Sequence, residues 1–233
     1  MPWDILLIFF VLGVVVPWRG RKRLQQLLAK PQVESRERLS LYFSTIVFQW
    51  IAAGVAAWRA WAHGYTVAEL GLVIPGRARA VMITVFGAAL IVTLQWFNLR
   101  RMGRSRSPLP GSIQALAQRI LPQSPAELVP FVGLAVTAGI CEEFLYRGFA
   151  MAAISRTGVP TSVVILSSSI LFGLAHLYQG RVGLLSTTVL GILFGTMRAM
   201  LGSLLPAVVW HAGVDLVAAT AGPRYLIKNK ALE

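Results

Sequence analysis

Seven apolar runs divide this 233-residue chain. Most approach the ~20 residues a helix needs to cross a hydrocarbon layer. They are Trp3–Trp18, Leu39–Ala57, Ala80–Leu99, Leu128–Ser155, Pro160–Tyr178, Val182–Met200 and Ser203–Thr220. In lipid a backbone must satisfy its own polar groups, which leaves helices and closed barrels. The alternation of a barrel strand is absent here. Charged residues make up 13% of the chain, against about a quarter in a soluble domain. These features predict an all-α, polytopic transmembrane helical bundle of about seven spans, forming one integral membrane domain over residues 1–233. The first run carries Asp4 where a signal peptide has basic residues, and no small-x-small cleavage site follows, so it reads as a retained span. The fourth run is long enough that its end is expected to project or break. Gly64–Arg79 is expected to be a loop or a short interfacial helix.

The net charge of +13 would suggest nucleic acid in a soluble protein. Here the basic residues lie between apolar runs, so topology and anionic headgroups account for them, and no nucleic-acid partner is expected. Sixteen of the 22 Lys and Arg fall in the Arg19–Arg38 segment, the Arg100–Ile120 segment, the tail from Pro223 and Arg181. These share one side if the N-terminus is outside. Arg59, Arg77, Arg79, Arg147, Arg156 and Arg198 make up the other side. The asymmetry predicts a multi-pass protein with N-terminus outside and C-terminus cytoplasmic. The architecture suggests the plasma membrane of a prokaryote. A single cysteine, Cys141, excludes an internal disulfide and a thiolate metal cluster. It reads as a small buried apolar residue.

Against this apolar background a few ionisable residues stand out, and at bilayer depth such groups mark function. Glu142 and Glu143 are adjacent, and Arg147 lies four residues beyond Glu143, so those two share a helix face. Glu142 is turned ~100° away. His176 closes the pattern Phe172-x-x-x-His176, and His211 and Asp215 stand one turn apart. Counting ~1.5 Å per residue from the turn between spans four and five places Glu142 roughly 20 Å deep and His176 roughly 24 Å. From the start of span seven, His211 lies roughly 12 Å in and Asp215 roughly 18 Å. One layer of the bundle can therefore hold all of them, on the side of the basic segments. Such residues can activate a water. They can also lock helices together, build a proton relay, or let Asp215 serve only to orient His211. Gly148, Gly173, Gly191 and Gly195 read as helix-packing positions, and Pro206 as a residue that kinks or opens the last span.

In order, these patterns resemble the signature of the CAAX prenyl protease and bacteriocin-processing (CPBP, or Abi) family of intramembrane proteases: E-E-x-x-x-R, F-x-x-x-H, then H-x-x-x-N or D. Gly148 after the arginine, the approach to the last motif, and Glu69-Leu70-Gly71-Leu72 are also similar to family features. The likeness covers about residues 125–220, an expected catalytic core, with residues 1–124 as accessory spans. Asp215 stands where the prenyl-protein proteases usually carry Asn. The resemblance implies an intramembrane endopeptidase acting on a peptide or membrane-anchored protein in contact with membrane lipid. Glu142 would act as general base with His176. His211 and Asp215 would serve the oxyanion or the water, and Glu143 and Arg147 would hold the geometry. Either no cofactor or Zn2+ is implied. A metal would fall to Glu142, His176 and His211, although HExxH is absent. Two readings compete: a non-catalytic membrane immunity or scaffold protein using the same fold, and a proton-coupled transporter. The absence of a repeated half argues against the transporter.

Overall fold

The computed structural model describes residues 1–74, 76–104 and 111–227. Residues 105–110 of the second basic segment, and Lys228 and Lys230 of the tail, lie outside the described residues. Among the described residues eight helices follow in order: α1 Trp3–Leu28, α2 Ser35–Ala62, α3 Arg77–Arg104, α4 Gly111–Ile120, α5 Pro125–Ser155, α6 Thr161–Ala175, α7 Gly180–Leu201 and α8 Leu205–Leu226. The protein is an all-α polytopic bundle embedded in the membrane. Among the described residues six helices are long and apolar enough to cross a bilayer, α6 is apolar but has 15 residues, and α4 has 10.

Local sequence sets the boundaries. The Glu37 carboxylate accepts the Glu34 N–H at 3.2 Å, closing a capping box at the start of α2. Pro125 and Pro206 stand in the first turns of α5 and α8, where a missing N–H costs nothing. Pro206 therefore opens the last helix and does not kink it. Gly202 takes the left-handed conformation (φ 66°) that ends α7. α1 runs well past Trp18, through the basic residues to Leu28. α5 continues unbroken to Ser155, but over Phe144–Ala150 it widens into a π-helical stretch.

α5 is the axis of the molecule, flanked by α2 and α8, and half of its most apolar window is buried. Small residues allow close approach on both flanks. Ala53, Ala56 and Ala60 of α2 are buried together with Cys141 in one core cluster. On the other side, a Cβ on Gly139 would stand 2.9 Å from the Val208 carbonyl of α8. Between membrane helices it is such packing, not the hydrophobic effect, that drives association. Large apolar side chains such as Phe86 and Trp61 point outward, at 71% and 77% exposure, as a lipid-facing surface requires.

Four arginines are paired with carboxylates. Arg38 is buried and pairs with Glu127 through two 2.8 Å hydrogen bonds. Arg147 is interior, so it says nothing about topology. Arg59 pairs with Asp4. Arg156 holds Glu69 at 2.8 Å. The Gly64–Ile74 stretch forms turns, while Arg77–Arg79 already belong to α3: Arg198 donates to the Glu69 carbonyl at 2.8 Å, and the Leu204 N–H donates to the Gly71 carbonyl at 2.9 Å. The Glu69-Leu70-Gly71-Leu72 stretch thus ties together the ends of α5, α7 and α8.

Candidate active site

The π-helical stretch begins just after the paired glutamates, and an irregularity of this type re-aims side chains within an otherwise regular helix. The Tyr146 carbonyl within it accepts the Ser168 hydroxyl of α6 at 2.7 Å, which fixes α5 against α6. Glu143 and Arg147 are fully buried and joined at 2.9 Å. The guanidinium stacks over the Phe172 ring, 4.1 Å from its centroid, with Phe194 at 5.5 Å. Gly191 of α7 makes room for it, since a Cβ there would stand 3.1 Å from Arg147 Nη2. An arginine held on two aromatic faces and one carboxylate is a rigid support.

Glu143 carries a second load. Its Oε1 also lies 2.8 Å from His211 Nδ1. A carboxylate oxygen can only accept here, so Nδ1 carries the proton and Nε2 turns the other way. The same reasoning fixes His176, whose Nδ1 lies 2.9 Å from the Phe172 carbonyl. His176 sits where α6 ends and a short 3-10 turn, Leu177–Gln179, begins, so it projects from a helix end and not from the middle of a span.

Both free Nε2 atoms face Glu142. Its Oε2 is 3.8 Å from His176 Nε2 and 4.0 Å from His211 Nε2. Asp215 Oδ2 is 3.7 Å from His211 Nε2. Asp215 therefore faces the free nitrogen of His211, and the residue that orients the ring is Glu143. These contacts bring together the six residues singled out by sequence. Sequence reading missed a seventh: Gln49 of α2, from outside the core, donates Nε2–H to Glu142 Oε1 at 2.5 Å. That leaves Glu142 Oε2 buried and without a hydrogen-bond partner. A buried orphan of this kind calls for a water or an ion.

A single water would bridge gaps of 3.8–4.0 Å with ordinary hydrogen bonds of about 2.8 Å. A tetrahedral zinc about 2.1 Å from each ligand would bring ligand atoms to about 3.4 Å from one another. Among the described residues no group of three or more His, Cys, Asp or Glu is spaced to hold a metal. The gaps from Glu142 Oε2 to the two imidazole nitrogens, 3.8 and 4.0 Å, are wider than that zinc spacing.

A cavity of about 230 Å³ leads to this layer, lined by Glu142, His176 and Gln49 at one end and by α1 and α2 along its length. Residues 124–217 match the family model described as type II CAAX prenyl endopeptidase Rce1-like. No curated protein and no solved structure matches the chain.

Proposed function

Because residues 124–217 belong to the CAAX prenyl protease and bacteriocin-processing family of membrane-embedded peptidases, we propose that this protein cleaves a peptide bond inside the bilayer with a water activated by Glu142 and His176. The observation that carries this reading is Glu142 Oε2, buried, unpartnered and facing two imidazole Nε2 atoms across a water-sized gap. A water held there donates one proton towards Glu142 Oε2 and the other towards His176 Nε2. Glu142 takes its proton as the water oxygen attacks the scissile carbonyl, and returns it to the departing amine nitrogen. The attack leaves an oxyanion on the former carbonyl oxygen, and stabilising it in a low-dielectric site needs a hydrogen-bond donor. His211 supplies it when Nε2 carries a proton, held between Glu143 on one side and Asp215 on the other. Glu143, Arg147 and Gln49 act through these groups, as positioning residues.

The cavity lining includes Arg19 and Arg23 of the first basic segment, which on the proposed N-out topology faces the cytoplasm of a prokaryotic cell. Substrates on this reading are peptides or membrane-anchored proteins that present an apolar segment from the lipid.

The test is cleavage of a quenched prenylated-peptide library by the purified chain in detergent, compared with Glu142→Ala and His211→Ala, each with and without a zinc chelator. Loss in both variants and persistence in chelator is the expected result. Cleavage by well-folded Glu142→Ala at the wild-type rate would refute the base assignment. Loss in chelator with rescue by zinc would replace the water-only mechanism with a metal centre.

A further inference from the structure

The mouth of the active-site cavity carries two arginines without counter-ions. Leu12, Val16 and Leu24 of α1 and Leu41 and Phe48 of α2 form an apolar wall that leads from Glu142 and His176 to Arg19 and Arg23. These two stand four residues apart on one face of α1. Arg23 Nη2 donates to Ser44 Oγ of α2 at 2.7 Å, and the Arg19 guanidinium lies 4.8 Å from the centroid of the Phe48 ring. Both heads are therefore drawn across the cavity edge towards α2. Gly20 between them packs against the turn after His176, where a Cβ would stand 3.2 Å from Tyr178 Cδ1. The arginines are thus fixed relative to the reacting layer.

Elsewhere Arg38, Arg59, Arg147 and Arg156 each meet a carboxylate. Among the described residues, Arg19 and Arg23 meet none. Two guanidinium groups side by side repel one another, and a planar anion with two acceptor oxygens relieves this while bonding to both. We propose that Arg19 and Arg23 are the anion-binding end of the substrate site. The substrate then presents a carboxylate, from an acidic side chain or a chain terminus, at the cavity mouth while its apolar part lies along α1 and α2. This selectivity rests on the proteolytic reading of the same site.

Binding can be measured without turnover. The probes are 11-(dansylamino)undecanoic acid and the matching alcohol, neither of which contains a peptide bond, titrated into the full chain in neutral maltoside micelles at neutral pH. The acid is expected to bind about tenfold more tightly or better, the yield of one charge-assisted hydrogen bond. In Arg19→Gln/Arg23→Gln the two probes should bind alike. Arg19→Gln alone, at an exposed position, keeps the test open if the double variant misfolds, and should lose part of the preference. Equal binding of acid and alcohol to wild type, or a preference that survives these substitutions, overturns the proposal. So does loss of the preference on adding phosphatidylglycerol but not phosphatidylcholine, which would make this a lipid-headgroup site. Acid preference in a chain that cleaves no peptide would leave the anion site standing and remove only the peptidase reading. Proteolysis without acid preference would do the reverse.

Discussion

Replacing Gln49 with methionine should slow the chemical step while leaving substrate binding nearly untouched. Gln49 is 8% exposed and holds one oxygen of Glu142 at 2.5 Å. With Oε1 held, the carboxylate cannot rotate, and Oε2 stays aimed at His176 and His211. Methionine has nearly the same length and volume, so packing against α5 survives, but the donor is gone. A hydrogen bond to a charged group contributes about 1.5–3 kcal/mol. If that is spent on keeping Glu142 in its reactive orientation, kcat falls by about 10- to 150-fold, at 1.36 kcal/mol per factor of ten. KM should stay within about twofold, since no ground-state contact is lost. The assay is single-turnover cleavage of the library member that wild type cleaves fastest, with thermal unfolding as a control. A purely packing role predicts near-normal kcat for Gln49→Met. Such a result, in a variant that melts with wild type, would refute the positioning argument. A large rise in KM at constant kcat would refute it too, and would recast Gln49 as a substrate contact.

Two further outcomes test the frame around the site. Arg38→Met should destabilise the protein by about 3–5 kcal/mol, because it leaves Glu127 buried and unpaired, while Arg38→Met/Glu127→Leu should recover most of that loss. Denaturant titration of both variants decides it, and a fully stable single variant would count against the pair. Arg156, just after α5, bonds to Glu69 in the loop between α2 and α3 and holds its carboxyl well below the usual range, at about 2. A depressed value means that the tie is complete above the unfolded-chain value of about 4.5 and is lost as pH falls through about 2. A spin label on Val67→Cys should therefore gain mobility over that interval, and Glu69→Gln should show the mobile spectrum throughout. A label whose mobility ignores pH would contradict the assignment.

The helices and the layer of ionisable groups were legible because each leaves a local trace. Apolar runs of bilayer length announce spans, and Glu142, Glu143, His176, His211 and Asp215 are conspicuous where every neighbour is apolar. Counting residues from a shared turn showed that they could meet. Gln49 was not legible, since a lone amide in an apolar helix has no fixed meaning until its partner 93 positions later is known. Arg38 and Glu127 escaped for the same reason: each lies at the edge of a span, where a charge is ordinarily solvated, and only the docking of α2 on α5 encloses them. The π-helical stretch leaves the composition unchanged, so nothing in the pattern Phe144–Ala150 separates it from α-helix. Charge counting misplaced Arg147 because it treats every arginine as a surface group.

The length of α6 bears on the surrounding lipid. Fifteen residues rise about 22 Å, some 8 Å less than a typical hydrocarbon core. A span that short, where lipid meets it, favours local thinning of the bilayer, at a fraction of a kcal/mol per ångström. His176 stands at the end of α6. On the proposed reading, thinning there would shorten the path by which a water reaches Glu142 and His176 from the cytoplasmic side.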